Sequence, residues 1–121
     1  KKNAKLFFAG QITGVEGYIE SVATGWIAGL NAARIVRNEE MLLAPSNSAI
    51  GALCRYVSNV ETKNFQPVNI TFGLLEQPPL EIRKKYRNKR ERHNIQVEMA
   101  LKDWDIFIGM INHQETKTQS L

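Results

Sequence analysis

The chain has 121 residues, of which 43% are hydrophobic and 23% charged, an ordinary composition for one globular domain with its own core. This composition excludes disorder throughout, and the single cysteine excludes an internal disulfide framework and a metal site built from several cysteines. The net charge is +4 and no apolar run approaches the roughly 20 residues that span a bilayer, so we expect a soluble protein in the reducing cytoplasm, without a membrane partner.

The beginning of the chain suggests a strand followed by a glycine turn. The chain starts with Lys1 rather than Met and soon reaches an apolar run, so we expect a piece of a longer protein. Residues 5–9 are predicted to form a buried strand that ends at Gly10. The following turn, Gly10 to Gly17, precedes a helix start, where glycines and unpaired N–H groups can hold a cofactor.

Two helices are predicted next, from apolar residues that recur at spacings of three and four. The first should run over 15–37 and bury Trp26. Gly25 and Gly29 are unfavourable inside a helix, which indicates close packing against a neighbouring element. The second helix is predicted over 47–59, with one of three polar residues as its N-cap: Ser46, Asn47 or Ser48.

The second half of the chain predicts an extended segment and one long helix. Alternating apolar residues indicate an extended segment over 66–73. Pro78-Pro79 can open a helix, which should run over 79–111 and bury Trp104. The polar, aperiodic residues 112–121 are predicted to be a flexible tail.

The glycine turn allows two interpretations. It could hold a phosphate or a flavin ring against the backbone, or it could simply connect a strand to a helix. Gly10, Gly14 and Gly17 do not form the G-x-G-x-x-G dinucleotide fingerprint, and no acidic residue ends a second strand about 20 residues further on. The residues alone leave both interpretations open.

The positive charge is concentrated in one segment. Residues 80–92 include seven basic and two acidic residues, whereas the rest of the chain has nine basic and ten acidic ones. Arg83, Arg87 and Arg90 would share one face of the predicted helix. The segment could be a solvated surface, or it could bind a phosphate backbone. The candidate RNA-binding residues are Arg83, Lys84, Lys85, Arg87, Lys89, Arg90 and Arg92.

Cys54 and His93 are the other reactive side chains considered. A thiol beside Arg55 could be a catalytic nucleophile, but Cys54 falls on an apolar helix that we expect to pack, where thiols are usually inert. His93, at the end of the basic segment, is interpreted as a surface or RNA-facing residue rather than a base.

Several blocks, in order from about Leu6 to Phe107, resemble one family. Phe8 to Ser21 resembles the C-terminal FAD-contacting segment of the folate- and FAD-dependent tRNA (uracil-5-)-methyltransferases, the TrmFO family, which is related to the GidA/MnmG flavoproteins. Three later blocks resemble the family's small-residue helix start, its phenylalanine-glutamine-proline block and the basic entry to its last helix: Ser48 to Leu53, Phe65 to Leu75, and Arg83 to Lys85.

The resemblance implies an α/β parent with an FAD/NAD(P)-binding fold, of which residues 1–121 are a helix-rich C-terminal portion packed on the rest of its own polypeptide. The first strand would belong to a larger parallel sheet. The intact enzyme would methylate C5 of the T-loop uridine of tRNA, using methylenetetrahydrofolate, reduced FAD and NAD(P)H. The fragment alone would be inactive, with no catalytic residue and no metal site.

The resemblance also implies that the turn forms one wall of the FAD site, near the isoalloxazine and ribityl groups. The residues concerned are Gly10, Gln11, Ile12, Thr13, Gly14, Val15, Gly17 and Tyr18. The alternatives are a GidA/MnmG-type flavoprotein that modifies the wobble uridine, which Val15-Glu16 and the Phe65 to Leu75 block disfavour, a non-enzymatic RNA-binding module, and a regulatory or assembly domain.

Overall fold

The computed structural model describes residues 5–59, 61 and 63–119, with side chains up to residue 113. Within these ranges the chain forms a short 3-10 turn over Gly10–Thr13 and four helices: α1 over Tyr18–Val36, α2 over Ala49–Ser58, α3 over Leu80–Lys85 and α4 over Lys89–Gln119. The predicted helix-rich character is confirmed. None of these helices combines the length and the apolar character needed to cross a bilayer.

The predicted strand over 5–9 is not formed. Residues 6–9 lie outside any helix or strand, and Leu6 and Phe8 are exposed. A strand needs hydrogen bonds to a neighbouring strand, and the part of the chain that the structure describes places no strand beside residues 6–9. The parallel sheet of the parent therefore stays a proposal.

α1 begins three residues later than predicted, because residues 14–16 pair with a distant segment. Val15 forms an isolated parallel bridge with Val68. The Val68 N–H donates to the Gly14 carbonyl and the Glu16 N–H donates to the Val68 carbonyl, both at 2.9 Å. Gly17 is the N-cap of α1. The predicted extended segment over 66–73 lies outside any helix, as predicted. Its last two residues, 72 and 73, instead belong to a turn over 72–75.

α2 agrees closely with its predicted range, 47–59. Of the three candidate N-caps, Ser48 is the one used, since its Oγ accepts the N–H of Gly51 at 3.0 Å. This hydrogen bond satisfies one of the N–H groups that a helix start leaves unpaired.

The prediction of one long helix over 79–111 is wrong, because the chain leaves the helical conformation at residues 86–88. Asn88 restarts it: the Asn88 Oδ1 accepts the N–H of Arg90 at 2.8 Å. Asparagine is a strong N-cap, and Glu91 stands three residues later, the spacing of a capping box. Two helices therefore replace the predicted one.

The break at Asn88 separates the basic residues. Arg83 lies on α3, Arg87 in the connection and Arg90 on α4, so their predicted common helical face is not formed. α4 continues to Gln119 and includes most of the segment predicted as a tail. Residues 120 and 121 of that segment lie outside the described residues.

The core lies between α1, the segment after it and α4. Its buried apolar residues are Ile27, Leu42, Phe107 and Ile111, with Trp104 partly buried against them. Asn31 of α1 fixes the intervening segment: its Nδ2 donates to the Leu42 carbonyl at 2.9 Å and its Oδ1 accepts the Leu42 N–H at 2.7 Å.

The apolar face of α1 is open within the described residues. We call this the open face; by helical spacing it consists of Tyr18, Val22, Gly25, Gly29 and Val36. Tyr18 is 93% exposed, and a Cβ at Gly25 or Gly29 would meet nothing within 4 Å. The predicted close packing at the glycines is therefore absent here. Trp26, predicted to be buried, is 44% exposed and contacts Trp104 with ring centroids 6.1 Å apart.

Candidate functional site

The glycine turn is closed by its own hydrogen bonds. Gly10, Gly14 and Gly17 have φ angles of +77°, +91° and +93°, where a residue with a Cβ is strained. The Thr13 Oγ1 donates to the Gly10 carbonyl at 2.7 Å, and the Gly14 N–H donates to the Gln11 carbonyl at 2.9 Å. The Thr13 hydroxyl therefore stabilises the turn itself.

An aromatic pair, Tyr56 and Phe65, holds the turn from one side, and we call it the aromatic clamp. A Cβ at Gly14 would overlap the Phe65 ring. The Phe65 ring stacks on Tyr56 with centroids 5.4 Å apart, and the Tyr56 hydroxyl donates to the Gln66 carbonyl at 2.8 Å. The clamp ties the turn to α2, and Gly14 is required for this packing. Sequence reasoning missed the clamp.

A carboxylate of the chain itself occupies the start of α1. The Glu20 Oε1 accepts the N–H of Ile70 at 3.4 Å, and a Cβ at Gly17 would overlap the Glu20 carboxylate. A negative charge in the first turn offsets the positive end of the helix dipole, so it reduces the attraction for a second anion. This helix start is better suited to an uncharged part of a ligand than to a phosphate.

The other side of the turn is accessible. Gln11, Ile12 and Tyr18 are exposed, and together they offer an amide, an apolar side chain and an aromatic ring beside the backbone of Gly10. This combination fits a planar, largely uncharged ring system. Val15, by contrast, is fully buried, so its side chain supports the turn instead of contacting a ligand. In the described range no cluster of His, Cys, Asp or Glu could hold a metal ion.

Within the described residues, no ion pair joins a basic residue of the segment over 80–92 to a carboxylate. The pairs of Arg34 and Arg37 with Glu39 lie outside this segment. Of the seven predicted RNA-binding residues, Arg92 is partly buried and the other six are exposed. The structure therefore presents a concentrated positive surface across α3, the connection and α4, which attracts polyanions.

One short segment joins the turn to the basic surface. Val68 pairs with the turn, and Phe72 stacks on His93 near the start of α4, with ring centroids 3.8 Å apart and planes 2° from parallel. The four-residue step from Val68 to Phe72 spans at most about 14 Å. The two candidate sites are thus connected through one short segment of the chain.

The surroundings of Cys54 indicate an unreactive thiol. It packs against the core, and burial raises the pKa of the Cys54 thiol. Because the thiolate is the reactive form, we expect iodoacetamide at pH 8 to alkylate Cys54 severalfold more slowly in the folded chain than in the chain unfolded in urea. Mass spectrometry of timed samples measures both rates. Equal rates would show that the thiol is accessible and ionised.

Comparisons with known proteins identify the family of the chain. A family model described as glucose inhibited division protein A, GIDA, matches residues 1–40, which include the whole glycine turn. The chain is 47% identical over 109 residues to a protein of Streptococcus uberis named methylenetetrahydrofolate--tRNA-(uracil-5-)-methyltransferase TrmFO, in an alignment that covers 90% of the chain and 24% of the relative.

Other relatives carry the same name. The protein of Desulforamulus reducens is 51% identical over 107 residues, covering 86% of the chain and 23% of the relative. That of Koribacter versatilis is 47% identical over 105 residues, covering 87% and 24%. The chain spans about a quarter of the length of these relatives. The predicted resemblance is confirmed across nearly all of the chain, which belongs to the TrmFO family.

Proposed function

We propose that the chain is the C-terminal part of a larger cytoplasmic flavoprotein that methylates C5 of the T-loop uridine of tRNA. Methylenetetrahydrofolate would be the carbon donor and NAD(P)H a further co-substrate. The observation that carries this proposal is the single segment that pairs with the accessible glycine turn at Val68 and stacks on His93, beside the basic residues, at Phe72. The turn would form one wall of the FAD site, and the basic surface would bind the tRNA.

The turn is suited to the flavin ring and the ribityl chain of FAD. The Glu20 carboxylate at the start of α1 disfavours the FAD phosphates there, so the pyrophosphate would bind elsewhere in the polypeptide. Ile12 and Tyr18 offer apolar contact, and Gln11 offers hydrogen bonds. Bound FAD supplies the reducing equivalents, while the protein orients the substrates around it.

The open face of α1 supports the proposal that the chain is part of a larger polypeptide. The buried side of this helix consists largely of polar residues, Thr24, Asn31 and Arg34 beside Ile27, whereas the exposed side is apolar. This is the reverse of a helix whose outer side faces water. We infer that the rest of the polypeptide covers the open face, consistent with relatives about four times as long as the chain.

Purification of the intact polypeptide tests the flavoenzyme proposal. We expect visible flavin absorbance, and methylation of the T-loop uridine when methylenetetrahydrofolate and NAD(P)H are supplied. A colourless protein that binds tRNA would instead support the non-enzymatic RNA-binding alternative. A flavin-containing protein that modifies only the wobble uridine would support the GidA/MnmG alternative.

Charge reversal tests the RNA surface separately. In the intact protein, the double variant Arg83→Glu/Lys84→Glu should lower tRNA affinity about tenfold at low salt, because phosphate contacts are lost. The dependence of log Kd on log salt should become shallower by about 2. Titrations of labelled tRNA at several salt concentrations measure both quantities.

The matched control changes the same amount of charge elsewhere. Lys63→Glu/Lys102→Glu replaces two exposed lysines outside the basic segment. If the two double variants lose equal affinity, the effect is that of net charge alone and the proposed surface is wrong.

A further inference from the structure

An apolar cleft lies next to the basic segment and contains no residue of the glycine turn. Its volume is ≈ 440 Å³, within the range of small-ligand sites. The walls come from the start of α2, the segment over 70–75 and α4. The apolar side chains that line it include Ile50, Ile70, Phe72, Val97, Leu101 and Trp104.

Phe72 gives the cleft an aromatic wall that is only partly covered. One face of its ring stacks on His93, yet 40% of Phe72 remains exposed. Offset or parallel stacking holds aromatic rings together, and the uncovered part of Phe72 can accept a further planar ring from the cleft side. The cleft is therefore suited to a flat group rather than to a branched aliphatic one.

Basic residues precede the cleft-lining residues of α4 along the chain. By helical spacing His93, Val97 and Trp104 share one face of α4, and Lys89 continues this face one turn earlier. Lys89 and Arg90 are exposed, and neither forms an ion pair with a described carboxylate. An apolar cleft with basic residues near one end complements an uncharged planar ring that is attached to a phosphate chain.

We propose that this cleft binds one unstacked nucleobase of the tRNA, with the adjoining phosphates on Lys89 and Arg90. The inference rests on the proposed function, since it takes tRNA as the ligand. Unpaired bases stacked on aromatic side chains beside cations are a general mode of single-stranded RNA recognition.

The test combines RNA and protein variants. The intact protein is titrated with a T-arm hairpin RNA and with hairpins that each lack one base of the loop. For wild-type protein, one such abasic hairpin should bind about tenfold more weakly than the complete hairpin, the loss expected for one stacked base. With Phe72→Ala, the complete and the abasic hairpin should bind equally well, whereas Phe72→Tyr should behave like the wild type.

Phe72→Leu keeps an apolar side chain in the cleft while removing the ring, so it serves if the alanine variant does not fold. Far-UV circular dichroism and FAD content check the fold of each variant. An abasic penalty that persists in Phe72→Ala or Phe72→Leu, or that is absent from the wild type, would overturn the inference and assign the cleft to another part of the polypeptide. A wild type that binds no complete hairpin and no tRNA overturns the proposed function as well.

Discussion

Replacing Gly14 by alanine is expected to lower the free energy of unfolding of the intact protein by about 3 kcal/mol and to weaken its binding of FAD. The φ angle of +91° is strained for alanine, which costs about 1–3 kcal/mol. The new methyl group would also overlap the Phe65 ring, so the aromatic clamp would have to move. Urea unfolding measures the stability, and titration of the apoprotein with FAD measures the binding.

Gly109→Ala is the matched control. Gly109 lies inside α4 with an ordinary helical φ, on the same face as Glu98, Lys102 and Asp105, and a Cβ there would meet nothing within 4 Å. This variant should be as stable as the wild type or more stable by up to about 1 kcal/mol. Equal stability of the two alanine variants would show that the turn has another conformation in the intact protein.

The two causes of the Gly14 effect can be separated. In the double variant Gly14→Ala/Phe65→Ala the steric overlap is gone, but the strained φ angle remains. The alanine at position 14 should therefore cost less in the Phe65→Ala background than in the wild type. A double-mutant cycle on the free energy of unfolding gives the coupling.

Gly29→Leu is expected to have opposite effects in the intact protein and in the 121-residue chain. Nothing described lies within 4 Å of a Cβ at Gly29, and leucine favours a helix more than glycine does, so the helix content of the isolated chain should be kept or increased. In the intact protein the leucine would be forced into a packed interface, at a cost of about 2–3 kcal/mol. Circular dichroism of the chain and thermal unfolding of the intact protein measure the two effects.

Gly109→Leu places the same substitution on the polar face of α4 and should leave the intact protein folded with its normal melting temperature. If Gly29→Leu is equally harmless there, the open face of α1 is a solvent-exposed surface, and the inferred packing against the rest of the polypeptide is wrong.

Local features of the fold were predictable from the sequence. The helices α1 and α2 follow from the short-range spacing of apolar residues. Ser48 as the N-cap of α2 follows from the chemistry of proline and serine, which acts within one turn of helix. The break at Asn88 also has a local signal, an asparagine three residues before Glu91, but the surrounding helix-forming residues concealed it. The residue pattern over 5–9 cannot by itself decide whether a strand forms, because a strand needs a neighbouring strand to form hydrogen bonds with.

Burial and long-range contacts were less predictable. The spacing in α1 reveals an apolar stripe without showing which side faces the core of this chain. Its buried polar residues have partners: Asn31 bonds Leu42 and Arg34 donates to the Glu40 carbonyl in the following segment, whereas the Thr24 hydroxyl donates to the Glu20 carbonyl within α1. This polar side can therefore be buried with its groups hydrogen-bonded. For the candidate site, the turn and the basic segment are predictions from the sequence. The aromatic clamp, the Glu20–Ile70 hydrogen bond and the Phe72–His93 stack join distant residues and leave no periodic pattern.

Under the proposed function, the break at Asn88 would affect the shape of the RNA that the basic segment follows. A single rod of helix would set its cations along a straight line, which suits a regular duplex. Two helices separated by residues 86–88 need not share one axis, so the proposed phosphate contacts can follow an RNA backbone that changes direction. A hairpin loop has such a backbone, so under the proposed function the capping signal at Asn88 would favour a loop over a stem.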